Sequence, residues 1–148
     1  MGLKAILENS LKEAMKSGDQ TRKQTIRLVL SAIRLAQVEK GDELNELEII
    51  NLVQKEIKSR RESIQDAEKA NRIDLVENAK DEIAVLESFL PKQMDEEELS
   101  SIISAAIVET KASTPADMGK VMKIVIPIVA GRAPNDKISQ IVRRLLTK

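Results

Sequence analysis

Apolar side chains recur at helical spacing through most of the chain, and this periodicity constrains the fold more than any other feature. The first such stripe consists of Leu3, Ile6, Leu7, Leu11, Ala14 and Met15. Positions three and four residues apart lie on one face of an α-helix, so each stripe predicts a helix with one buried side. Phe89 is the one aromatic residue among 148. Because strands favour aromatic side chains, both observations predict an all-α fold.

Turn and capping residues divide this pattern into six or seven helices. Gly18 and Gly41 are predicted to end the first two helices. Pro115 is expected at or near the first position of a later helix, where its missing N–H costs little. The predicted N-caps are Asp19, Asn45, Asp74, Asp95, Ser113 or Thr114, and Asn135.

Pro91 marks the predicted boundary between two domains, because proline and the residue before it both disfavour a continuing helix. We expect two small helical domains. An N-terminal helical bundle covers residues 1–92, and a C-terminal three-helix domain covers residues 93–148.

Enzyme signatures are mostly absent from this sequence, although carboxylates are plentiful. The chain has no cysteine and no histidine, which removes thiolate chemistry and the side chains most used for zinc. Gly119-Lys120 is not a nucleotide-binding loop, since Thr114 replaces its first glycine and Val121 its serine or threonine. We expect no catalytic residue, no metal and no cofactor. Without a long apolar run, we also expect no membrane segment and a cytoplasmic location.

Charge is distributed unevenly although the net charge of the chain is zero. From Lys111 to Lys148, eight basic and two acidic residues give a net charge of +6. Such asymmetry indicates an anionic partner, and the alternative is an ordinary solvated face.

Gly119 is the feature of this basic segment that most needs an explanation. Glycine inside a helix costs about 1 kcal/mol relative to alanine, so either another helix packs closely against it or a ligand approaches the backbone. We favour the packing explanation; under the other, nearby lysines would contact phosphate groups. The candidate nucleic-acid-binding residues are Gly119, Lys120, Lys123, Gly131, Arg132, Arg143 and Arg144.

Two other groups of charges are given a structural interpretation. Arg60 and Arg61 are expected to form ion pairs with neighbouring glutamates such as Glu56. Arg72 and Asp74 flank a break between two helices and could clamp that turn.

Three segments together resemble the YqeY proteins, whose fold is shared with the C-terminal tail of the B subunit (GatB) of the tRNA-dependent Asp/Glu-tRNA amidotransferase. The resemblance covers essentially the whole chain. It is carried by RLVLSAIRLAQVEK (27–40), KSRRESIQDAEKANRIDLVENAKDEIAVLESFLPKQM (58–94) and DMGKVM…P…GRA (117–133).

The resemblance implies a link to transamidation, because the related tail contacts the outer corner of tRNA. Gly119, Lys120, Gly131 and Arg132 match the C-terminal motif and would belong to a shared recognition surface. Catalysis is not implied, since the kinase and transamidase reactions belong to domains that have no counterpart in this sequence. The family would nevertheless carry the label of a carbon–nitrogen ligase with glutamine as amido-N-donor.

We therefore expect a noncatalytic module that binds tRNA or another structured RNA. The alternative is a protein-interaction accessory of an amidotransferase or aminoacyl-tRNA synthetase that binds no RNA itself. A third hypothesis, an enzyme with an unrecognised carboxylate site, predicts glutamine hydrolysis by the isolated protein.

Overall fold

The structure, a computed structural model, describes residues 2–147. Seven α-helices and no strand occur within this range, which confirms the all-α prediction. The helices are α1 (Leu3–Ser17), α2 (Gln20–Lys40), α3 (Glu46–Lys69), α4 (Ile73–Glu87), α5 (Glu96–Thr110), α6 (Met118–Val129) and α7 (Asn135–Leu146). A short 3-10 helix, Pro115–Asp117, leads into α6.

The chain forms two compact units, residues 1–90 and 91–148. In the first unit, α1 to α4 enclose a core of aliphatic side chains that includes Leu7, Ile26 and Ile57. In the second, α5, α6 and α7 enclose a separate core that includes Leu99, Val125 and Ile138. Each core is built from one apolar stripe per helix, as amphipathic helices require.

Most predicted helix ends are confirmed by their hydrogen bonds. The Asp19 carboxylate accepts from the Arg22 N–H at 3.1 Å, and Asn45, another predicted N-cap, forms a reciprocal capping box with Glu48. Gly18 and Gly41 end α1 and α2 with φ angles of 77° and 78°, in the left-handed region that glycine adopts without steric cost.

Two predicted N-caps are wrong. Helix α4 starts at Ile73, so Asp74 lies inside its first turn and bonds to the Arg72 guanidinium at 3.1 and 3.2 Å. This ion pair confirms the predicted clamp across the turn. Helix α7 starts at Asn135 itself, and Pro134 takes the capping position. Proline there has an extended backbone, with ψ of 146°, which turns the chain into the helix without a side-chain cap.

Candidate nucleic-acid interface

The entrance to α6 is held by a carboxylate. Asp117 accepts hydrogen bonds from the backbone N–H groups of Ser113 at 3.0 Å and Thr114 at 3.3 Å. These bonds to the ionised form lower the pKa of Asp117. Lys120 Nζ lies 3.9 Å from Asp117 Oδ1, a distance typical of a loose ion pair. The tight turn therefore fixes where α6 begins.

The outer face of α6, defined here as Gly119, Lys120 and Lys123, is exposed to solvent. Val121, Val125 and Val129 are buried on the opposite side. At about 100° per residue, the three outer residues lie within about 100° of one another around the helix axis. All three are exposed, and the Lys120 side chain is 71% exposed. Helical geometry thus joins these three candidate residues in one surface.

Gly119 has no packing role in this unit. A Cβ atom built at this position would meet nothing within 4 Å. Its backbone is helical, without a positive φ angle that would require glycine. The favoured explanation, close packing of another helix, is therefore wrong. The second explanation, that a ligand approaches the backbone, stays a prediction.

Pro127 also lies in the exposed part of α6. Because proline has no N–H, the carbonyl of Lys123 loses the hydrogen bond it would receive in an uninterrupted helix. The helix nevertheless continues through Pro127 to Val129. The next two residues, Ala130 and Gly131, have left-handed φ angles of 50° and 80° and end the helix. This reverses the chain before α7.

Arg132 ties the loop after α6 to the segment before α5. Its Nε donates to the Lys92 carbonyl at 2.8 Å, and its backbone carbonyl accepts from the Met94 N–H at 2.8 Å. Its Nη2 also lies 3.6 Å from Glu98 Oε1. The sequence did not reveal this tie, because Glu98 fits a capping pattern with Asp95 and gives no sign of an arginine 34 positions away. Gly131 belongs to the same junction, since its carbonyl accepts from Gln93 Nε2 at 3.3 Å.

The last two candidates, Arg143 and Arg144, point away from α7 in different directions, since consecutive helical residues lie about 100° apart. Arg144 Nη1 lies 3.1 Å from Glu96 Oε1 in the first turn of α5. Arg143 is exposed and makes no ion pair with the residues that the structure describes. Lys148, which the charge count includes, lies outside the described residues.

The acidic start of α5 neutralises part of the basic C-terminal segment. Both Arg132 and Arg144 meet carboxylates of this turn, which holds Glu96, Glu97 and Glu98. The whole unit from residue 91 to 148 has nine basic and seven acidic residues and a net charge of +2. Among the candidate cations, Lys123 and Arg143 therefore have no carboxylate partner within the described residues. Lys120 has only its loose contact with Asp117.

In the first unit, Arg60 is an internal structural residue. Its side chain is 11% exposed and is held by the carboxylates of Glu56 at 2.8 Å and Glu82 at 2.6 Å. Burial disfavours its charge, but the hydrogen bonds to Glu56 and Glu82 prevail and raise the pKa of Arg60. The predicted pairing of Arg60 with Glu56 is confirmed. The contact of Arg60 with Glu82 on α4 was found only in the tertiary structure. Arg61 pairs with Glu87 at 3.3 Å.

A family model described as Yqey-like protein matches residues 4–146. The chain belongs to this family. The resemblance noted from the sequence segments is therefore confirmed.

Curated relatives extend this finding to fungi. The chain is 36% identical over 115 residues to "Altered inheritance of mitochondria protein 41, mitochondrial" of Lachancea thermotolerans. The aligned region covers 76% of this chain and 62% of that protein. The Kluyveromyces lactis protein of the same name is 35% identical over 116 residues, with the same coverage of both chains. An uncharacterized protein of Schizosaccharomyces pombe is 31% identical over 90 residues, which are 61% of this chain and 73% of that protein. The chain thus spans less than two thirds of the length of the first two relatives.

These names describe those proteins and leave the location of this chain open. No helix within residues 2–147 is long and apolar enough to cross a membrane. A cytoplasmic location stays a prediction. Within the same range, no group of three or more acidic, histidine or cysteine side chains is arranged to hold a metal ion.

Proposed function

We propose that this chain is a noncatalytic module that binds tRNA or another structured RNA through the outer face of α6. The observation that carries the proposal is the exposed Gly119 beside Lys120 and Lys123. Nothing in the fold requires glycine there, and a position without a side chain lets a phosphate group approach the helix backbone. The two lysines would supply the positive charge.

Such a surface recognises the RNA backbone and its shape. The single aromatic residue, Phe89, belongs to the first unit, and the guanidinium of Arg22 lies 5.1 Å from its ring centroid. The C-terminal unit therefore has no aromatic platform on which bases could stack. Specificity for one RNA sequence is not expected.

The structure narrows the set of residues that should be tested. Arg132 and Arg144 are engaged with carbonyl or carboxylate groups of their own unit, so their replacement would perturb the fold as well as any phosphate contact. Lys120 and Lys123 project into solvent and hold no part of the core. They allow binding to be tested separately from folding.

The test measures binding of unfractionated tRNA by fluorescence anisotropy at about 50, 100 and 200 mM salt. The native chain is compared with Lys120→Glu/Lys123→Glu. A control, Lys12→Glu/Lys16→Glu, makes the same change of charge at two exposed positions of α1. We expect the α6 variant to bind tRNA roughly tenfold or more weakly than the native chain. The slope of the logarithm of the binding constant against the logarithm of salt concentration should become less steep by about 2, since each lost phosphate contact removes about one released ion.

The control variant should bind like the native protein, and circular dichroism should show both variants folded. If native protein and α6 variant bind equally, or if both double variants lose the same affinity, the outer face of α6 is not the RNA site. No tRNA binding by the native chain would favour the alternative, an accessory that docks on an amidotransferase or aminoacyl-tRNA synthetase.

A further inference from the structure

Helix α2 carries a second apolar stripe on the side opposite its core face. Ile26, Val29, Leu30 and Ile33 are buried in the first unit. On the outer side, Leu28, Leu35 and Val38 are 56%, 63% and 77% exposed. We define the outer seam of α2 by the exposed positions Thr21, Gln24, Leu28, Ser31, Leu35 and Val38.

The outer seam has the spacing of a coiled coil. Its members follow one another at alternating steps of three and four residues, so they cover positions a and d of the seven-residue repeat from Thr21 to Val38. An ordinary surface helix has polar residues on its solvent side, whereas here Leu28, Leu35 and Val38 occupy it. A strip of this shape is complementary to another helix that lies alongside it.

Charges beside the seam indicate which helix that is. Arg34 precedes Leu35 at position g, and Glu39 follows Val38 at position e. In a parallel two-stranded coiled coil, position g of one helix faces position e of the next repeat on its partner. Arg34 of one copy would therefore face Glu39 of a second copy, and the reverse pair would form by symmetry. In an antiparallel pair, g positions would face g positions, and both Arg27 and Arg34 occupy g, so like charges would be brought together.

Both residues are available for such a contact. The side chains of Arg34 and Glu39 are exposed and make no hydrogen bond or ion pair with the part of the chain that the structure describes. We propose that the outer seam of α2 is a dimer interface, in which two copies of this chain pack their α2 helices in parallel and in register. This inference is independent of RNA binding, because the seam and the outer face of α6 belong to different units.

The full chain offers a direct test because it contains no cysteine. Ser31 occupies a d position, where identical residues of a parallel, in-register dimer face each other. We expect Ser31→Cys to form a disulfide-linked dimer under mild oxidation. The matched control is Ser101→Cys, an exposed serine on α5, and Ser31→Cys should cross-link at least about tenfold faster because pairing raises the local thiol concentration.

Charge reversal identifies the partner as a second copy. In the Ser31→Cys background, Arg34→Glu should slow cross-linking, because the carboxylate introduced at position 34 would face Glu39 of the other copy. Adding Glu39→Arg restores opposite charges and should recover the rate. Native protein should also show concentration-dependent dimerisation in analytical ultracentrifugation, and Leu28→Glu/Leu35→Glu should abolish it while circular dichroism shows the helices intact.

Equal cross-linking rates for the Ser31 and Ser101 variants would overturn the proposal. So would native protein that remains monomeric at every concentration up to the solubility limit. Failure of Glu39→Arg to recover the rate would refute the parallel register. A dimer that forms normally in Lys120→Glu/Lys123→Glu would confirm that this interface is separate from the proposed RNA site.

Discussion

Replacement of Gly119 by alanine should stabilise the protein, and this result would bear directly on why glycine occupies α6. A Cβ atom at this position meets nothing within 4 Å, so the substitution creates no clash. Alanine restricts the unfolded chain and is the better helix former, a gain of about 0.5–1 kcal/mol inside a helix. Gly119 is the second residue of α6, and so near the helix end we expect roughly 0.5 kcal/mol.

Gly18→Ala is the matched control for this substitution. A Cβ atom at Gly18 also meets nothing within 4 Å, but the φ angle there is +77°. A left-handed backbone costs an alanine about 1–2 kcal/mol, so the control should be destabilised. The same mutation in equally open space is thus expected to change stability in opposite directions, and only the backbone angle distinguishes the two sites.

Urea unfolding followed by circular dichroism measures both variants. At about 2–4 °C per kcal/mol for a chain of this size, Gly119→Ala should raise Tm by roughly 1–2 °C in a parallel thermal scan. If the two units unfold separately, each mutation should shift only the transition of its own unit. Loss of stability in Gly119→Ala would refute the reasoning, because it would mean that the backbone at residue 119 is constrained in a way the structure does not show. A stabilised variant that also binds tRNA more weakly would support close approach of a phosphate group.

Two further predictions concern the C-terminal unit. Arg132→Ala removes the 2.8 Å hydrogen bond to the Lys92 carbonyl and should lower the free energy of unfolding by about 1 kcal/mol. The control, Arg143→Ala at an exposed position, should change that free energy by less than about 0.5 kcal/mol. Equal effects of the two substitutions in urea unfolding would contradict a stabilising role for the Arg132 tie. Backbone N–H groups lower the pKa of Asp117. Ionised Asp117 therefore contributes fully to the free energy of unfolding above the unfolded pKa of about 3.9, and this contribution disappears as pH falls through the lower folded pKa. Asp117→Asn should therefore be less stable than native protein at neutral pH, with a difference that shrinks under acid; a difference that is independent of pH would refute this.

Local patterns predicted most helix ends, because a cap or a left-handed turn involves residues that are close in sequence. Asn45 with Glu48, and Gly18 after α1, are examples in which the interacting groups lie within a few positions. The two errors also have local reasons. Asp74 had an arginine partner nearby and bonded to it instead of capping α4, while Pro134 set the extended backbone before α7 without a side-chain hydrogen bond.

For the candidate site, the sequence singled out Gly119, Lys120 and Lys123 as candidate residues of one predicted helix, and the structure showed that they share its exposed side. The sequence also determined the all-α fold and the family. Only the tertiary structure showed that Arg132 bonds to the Lys92 carbonyl, that Arg144 meets Glu96, and that nothing packs on Gly119. The physical reason is the range of the interactions: periodicity and capping depend on neighbours within about two helical turns, whereas the partners of a charged side chain and the space around a glycine depend on which distant segments the packed helices bring together.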